Sequence, residues 1–140
     1  MAVHVLAVLA HKQGDRVSSD LLASSVNTNP VIIRRLLLAL QQAKLVETRK
    51  GPGFGSRLSR SPARINLAEI YRAVECEAPF ALPRRRANGA CPVGQGITAA
   101  MQNVFSSVQQ SLERELAKNT LTSILAAVDA QRSRGARVSR

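Results

Sequence analysis

The pattern of apolar and polar positions reads as a series of helices interrupted once by alternation. Residues 3–12 place Val5, Leu6, Val8 and Leu9 at helical spacing, and Gly14 with Asp15 ends that helix in a turn. Ser18 and Ser19 form a polar N-cap cluster ahead of the apolar Leu21, Leu22 and Val26. The chain then breaks at Asn27-Thr28-Asn29-Pro30, where Asn29 caps a new helix and Pro30 takes its first position with φ already set. In that helix Ile33, Leu36, Leu37 and Leu40 share one stripe, while Thr28, Val31, Arg34 and Arg35 turn towards solvent or a partner. Leu38 falls off the stripe, and the pattern offers no reason for it. Two short helices joined by such a turn predict a helix-turn-helix whose second helix enters a DNA major groove. The competing reading is a plain helical core with solvated arginines.

The period changes next. Leu45–Arg49 and Ser56–Arg60 alternate as two strands, and the intervening Lys-Gly-Pro-Gly-Phe-Gly tip, 50–55, allows positive φ and close approach of backbone to a partner. Arg49, Lys50, Arg57 and Arg60 flank it. A basic hairpin directly after a candidate recognition helix predicts a wing that tracks phosphates or reaches into the minor groove; otherwise it is a surface hairpin with solubilising charges.

Asn66 and Glu69 stand at capping-box spacing before a fourth helix with Leu67, Ile70, Tyr71 and Val74 inward. Residues 77–96, with three prolines and three glycines, predict a loop carrying Arg84, Arg85, Arg86 and Cys91. From Ile97 a stripe of Ile97, Met101, Val104, Phe105, Val108, Leu112 and Leu116 runs about five turns, too long for the small core of this chain to cover. A second copy of the same helix is the economical partner. Asn119 or Thr120 caps a last helix with Leu121, Ile124, Leu125 and Val128 inward, and residues 131–140 predict a basic, disordered tail. The expected fold is therefore mainly α with a small β-hairpin. A winged helix-turn-helix domain spans 1–76, a separate loop spans 77–96, and the dimerisation helix and final helix occupy 97–130.

Charge strengthens the nucleic-acid reading. Twenty Lys and Arg against nine Asp and Glu give a net charge of +11, divided evenly between the two halves. That excess suits a polyanion, although a membrane surface or an acidic protein would also be attracted. Aromatics are only 3% of the chain, which disfavours RNA recognition by stacking. No nucleophile–base set, carboxylate pair or phosphate-binding glycine motif points to an enzyme. His4 and His11 lie two turns apart without a third ligand at metal spacing, so no metal is expected. The opening apolar run has no basic residues before it and passes straight into helical patterning, and no apolar run approaches a membrane span. The chain reads as cytoplasmic, with no membrane partner.

Taken together, the stretches TNPVIIRRLLLALQQAKLVETRKGPGFG, INLAEIYRAVE and CPVGQGI resemble the Rrf2 family of bacterial winged-helix transcription regulators, which includes IscR, NsrR and CymR. The likeness covers most of residues 1–128 and is greatest to the YwnA-like branch. It implies a homodimer on palindromic promoter DNA, repressor or activator, whose long helix crosses its twin while the last helix braces the partner's winged domain. On matching positions it implies DNA contacts from Ser18, Thr28, Asn29, Pro30, Val31, Arg34 and Arg35, and from the wing residues Arg49, Lys50, Gly51, Gly53 and Arg57. Arg34 is the expected base reader, since arginine reads guanine bidentately.

Four departures from the family pattern stand out. The chain begins several residues later than family members usually do; Phe54 stands where the wing usually has glycine; Ser56 replaces a common aromatic. Cys76 and Cys91 alone do not make the three-cysteine cluster set, so no iron–sulfur cofactor is expected. Cys91, before Pro92 at or near the N-terminus of the long helix, is the candidate redox sensor. Helix amides and nearby arginines favour a thiolate there, and oxidation would join it to Cys76 or to the partner's Cys91. The bland alternative is a small thiol filling a gap.

Overall fold

Capping side chains decide where the first helices begin. The computed structural model describes residues 1–12, 14–51, 53–75 and 87–138. Helix α1 is Ala2–His11, α2 Ser19–Val26 and α3 Pro30–Gln42. The Ser18 side chain accepts from the Leu21 N–H at 3.2 Å, and the Asn29 side chain accepts from the Val31 N–H at 2.8 Å. Pro30 follows at the first helical position, where it sacrifices no hydrogen bond. Between the two helices Asn27 adopts φ +56, a left-handed C-cap that an asparagine tolerates.

The hairpin follows as β1 Val46–Arg49 and β2 Gly55–Leu58, antiparallel, with Glu47 opposite Arg57 and Thr48 opposite Ser56. A 3-10 turn, Pro62–Arg64, leads to α4, Leu67–Val74; then come α5, Pro92–Ala117, and α6, Leu121–Val138. Val5, Leu6 and Leu9 of α1, Leu22 of α2, and Ile33, Leu37 and Leu40 of α3 meet Leu45, Val46, Ile65 and Ile70 in one aliphatic core. Leu121 of α6 is fully buried in the same core, and its N–H donates to the Ile65 carbonyl at 2.8 Å.

Several expectations need correction. Leu21 is exposed, because Leu22, Ala23 and Val26 form the inward stripe of α2 and Leu21 lies off it. Val128 is exposed as well. The long helix starts at Pro92, five residues before Ile97, with Cys91 as its N-cap. Helix α6 continues to Val138, so the residues read as a disordered tail are helical that far. Asp129 and Arg132 pair at 3.9 Å across one turn within this stretch. The first turn of α6 is also tied to its own winged domain, through Leu121 and through the Leu67 N–H donating to the Asn119 carbonyl at 2.9 Å.

At the start of α4, Asn66 and Glu69 close a complete capping box, each side chain accepting from the other's N–H at 3.0 Å. Burial would raise the Glu69 carboxyl, but the Asn66 N–H and the Arg60 guanidinium, 2.6 Å away, together hold it below its ordinary value. This stabilisation is complete above the ordinary carboxylate range near 4.5 and is lost as pH falls through the lowered value. Glu69→Ala is expected to cost about 1 kcal/mol at neutral pH. In chemical denaturation at pH 7 and pH 3, the gap between wild type and variant should shrink at the lower pH.

Candidate nucleic-acid interface

With Ile33, Leu37 and Leu40 committed to the core, the opposite face of α3 is left for a partner. Val31 and Leu38 are exposed on it, at 51% and 58%, and Arg34 and Arg35 lie between them at helical spacing. Arg34 is oriented from the preceding helix: its Nε donates to Ser19 Oγ at 3.2 Å. Its terminal nitrogens have no partner among the described residues, so the end of the fork is presented outward. Thr28 and Asn29 lie in the turn itself. Thr28 is half-buried, with its N–H on the Ala23 carbonyl at 2.9 Å, and the Asn29 side chain is engaged as a cap. Ser18 is likewise a half-buried cap.

The wing is pinned to the linker between α1 and α2. The N–H of Val17 donates to the Ser56 carbonyl and the N–H of Ser56 to the Val17 carbonyl, both at 2.8 Å, a single antiparallel bridge beside the two-stranded hairpin. Ser56, where the family pattern carries an aromatic, is buried and bonds to Thr48 Oγ1 at 2.9 Å. Arg16 reinforces the seam by donating to the Gly55 carbonyl at 3.2 Å. Gly55 has φ +125, and a Cβ there would sit 2.9 Å from the Val17 carbonyl oxygen. Only glycine lets the two backbones approach this closely.

Gly51 and Gly53, at φ +79 and +71, lie at the tip, where an added Cβ would meet nothing within 4 Å. Their positive φ bends the turn, and open space lies where a side chain would stand. Arg49 and Lys50 are exposed beside them. Arg57 is less available than its sequence position suggests, because two of its nitrogens donate to Glu47 Oε2 at 3.1 and 3.0 Å. Glu47 also stands 3.7 Å from Arg16.

Between α3 and the wing lies an open cleft of roughly 520 Å³. Its walls include Arg34, Leu38, Gln41, Arg49, Lys50 and Phe54, and none of its lining residues is acidic. Sequence reasoning missed Ser19 as the support of Arg34, Arg16 and Gly55 as the anchors of the wing, and Leu38 as a cleft wall. Leu38 carried a signal, since an apolar residue off the core stripe asks for a partner.

Helix α5 buries no residue, although it is 26 residues long. Ile97, Val104, Val108 and Leu112 are exposed along it, while Met101, Phe105 and Leu116 are half-buried. It is held to α4 by Arg72 on Glu113 at 2.7 Å; the Gln109 amide, 2.8 Å from the same carboxylate, and Arg72 together keep the Glu113 carboxyl below its ordinary value. Cys91 is exposed at the N-terminus of α5. Cys76 and the arginines Arg84, Arg85 and Arg86 lie outside the described residues, as do residues 77–86 of the expected loop. Among the described residues, no three His, Cys, Asp or Glu side chains gather as metal ligands, and no helix is long and apolar enough to cross a membrane.

A helix-turn-helix with a pinned basic hairpin, a long trailing helix and no acidic residue in the cleft defines a winged helix-turn-helix DNA-binding fold. The Rrf2 family model, described as an iron-dependent transcriptional regulator, matches residues 1–127, and the chain belongs to that family of transcription regulators. YwnA of Bacillus subtilis (strain 168), whose name places it among HTH-type transcriptional regulators, is 37% identical over 125 residues, covering 89% of this chain and 92% of the relative. A solved structure described as a candidate DNA-binding protein superposes with a TM-score of 0.71 at 37% identity, covering 89% of this chain and 95% of the other. IscR of T. potens shares the fold, with a TM-score of 0.66 at 24% identity over 93% of this chain and 85% of its own. Among the described residues Cys91 is the one cysteine, and no three candidate ligands gather there to hold the iron of the family's description.

Proposed function

We propose that the chain is a homodimeric regulator that reads palindromic promoter DNA with α3 and grips it with the wing. The observation that carries this reading is the outward face of α3. Arg34 is steadied by Ser19 with its fork free, beside a cleft whose only charges are positive. Arg34 supplies base discrimination, Arg35 flanks it, and Arg49 and Lys50 meet phosphates. Arg57 contributes less because Glu47 already neutralises it. Dimerisation is supported by α5, which buries no residue and leaves Ile97, Val104, Val108 and Leu112 exposed among the described residues. The regulator works without a resident iron–sulfur cluster, since Cys76 and Cys91 alone do not make the three-cysteine ligand set. The test is titration with duplex DNA, single-stranded DNA and RNA across salt concentrations. Sequence-dependent preference for duplex supports the proposal; equal binding to all three would overturn it.

Glu47 gives the wing a built-in brake. Glu47→Gln should free Arg57 for phosphate in each wing of the dimer, tightening duplex binding and steepening the salt dependence by about two units of log–log slope. Gel shifts from low to moderate salt would measure this, and an unchanged slope would mean that Arg57 meets no phosphate.

Cys91 is the candidate switch, exposed where α5 begins and so able to meet an oxidant. Peroxide or diamide treatment should lower operator affinity in wild type and leave Cys91→Ser unaffected. Equal affinity before and after treatment in wild type would remove Cys91 from regulation.

A further inference from the structure

Phe54 is 64% exposed at the tip of the wing, an unusual position for one of only three phenylalanines in the chain. The positive-φ glycines on either side, Gly53 and Gly55, hold the tip in a tight bend, and a Cβ added at Gly53 would face open space. Gly55 anchors its base against Val17, so the ring is carried on a supported arm. Phe54 and Leu38 line the cleft between α3 and the wing, together with Arg34, Arg49 and Lys50. An exposed apolar pair within a purely basic rim costs hydration in the free protein and asks for an occupant with both apolar and anionic surface.

One strand of a duplex has that surface. With α3 docked in a major groove, the strand separating the two grooves would pass through the cleft, its phosphates towards Arg49 and Lys50 and its deoxyribose carbons towards Leu38. Phe54 then stands on the minor-groove side of that strand. We propose that Phe54 is a wedge that enters the minor groove, partly unstacks a base step and kinks the duplex towards the major groove. The proposal rests on the DNA-binding reading above and adds to it a specificity that needs no hydrogen bond. Pyrimidine–purine steps, which unstack most easily, are favoured where the tip lands.

The experiment uses the full-length protein on a bound duplex, with bending read by circular-permutation gel shift and unstacking by 2-aminopurine placed at the step under the wing. Wild type is expected to bend the duplex by about 20–90° and to raise 2-aminopurine fluorescence. Phe54→Ala should bind about tenfold more weakly, with bending and fluorescence change lost, while Phe54→Leu, which keeps an apolar wedge, should retain the bend. Circular dichroism of each variant should match wild type, because the exposed ring supports no core. Duplex binding by wild type without a bend, or an equal bend by Phe54→Ala, would overturn the wedge and leave the DNA-binding reading standing. Failure of wild type to bind duplex would overturn both. A change in oligomeric mass on Phe54→Ala, with bending intact, would assign the ring to a protein contact and also overturn the wedge.

Discussion

Replacing Arg34 with alanine is expected to lower affinity for the operator by about thirty- to twenty-thousand-fold. One bidentate arginine–guanine contact is worth about 1–3 kcal/mol of discrimination, and a dimer makes it twice, so the variant forfeits about 2–6 kcal/mol. Non-specific affinity should fall far less, because each lost charge removes only one phosphate-strength interaction from a chain of net charge +11. The variant therefore binds operator and random duplex almost alike. Ser19→Ala should produce a weaker version of the same change, since it removes the 3.2 Å hydrogen bond that orients the guanidinium but leaves the charge. Fluorescence anisotropy with operator and scrambled duplexes measures both; a uniform loss on the two duplexes would reassign Arg34 to phosphate contact.

The second large effect is expected in α5. Val108 and Leu112 are one turn apart and exposed on the uncovered stripe. Leu112→Asp places a charge where two apolar stripes meet and leaves it without a counter-ion, a change that costs several kcal/mol when a carboxylate is desolvated. The outcome should be a folded monomer, because the buried cluster of the winged domain contains no residue of α5. Sedimentation should show half the wild-type mass, and duplex binding should fall by at least about a hundredfold as the second half-site loses its tethered reader. A dimeric Leu112→Asp protein would place the interface elsewhere.

The elements that position the DNA face were the most legible. Asn29-Pro30 fixes the start of α3 by local chemistry alone, and the capping box of Asn66 and Glu69 does the same for α4. These signals are short in range, so a reader of the sequence needs no tertiary information to use them. Contacts between distant segments were hidden. That Gly55 must be glycine follows from the Val17 carbonyl 38 residues earlier, and that Arg57 is neutralised follows from a strand register that pairs it with Glu47. The start of α5 was misplaced because Pro92, Gly94 and Gly96 weigh against a helix locally. Pro92 nevertheless occupies the first position, where a proline is tolerated. Helix α6 outran its expected end because apolar periodicity ceases before the backbone does; Ala, Gln and Arg are good helix formers without a core to face. Leu38, unexplained by the core, acquired a role only when the wing was seen across from it.

The central claim is that two copies of α3, carried by one dimer, read two copies of the same half-site. Selection of duplexes from a random pool by the purified protein tests it most directly. An enriched palindrome is expected, containing a guanine in each half, with half-site centres about one helical turn or a multiple of it apart. Enrichment of a single unrepeated motif, or no enrichment over the starting pool, would contradict it.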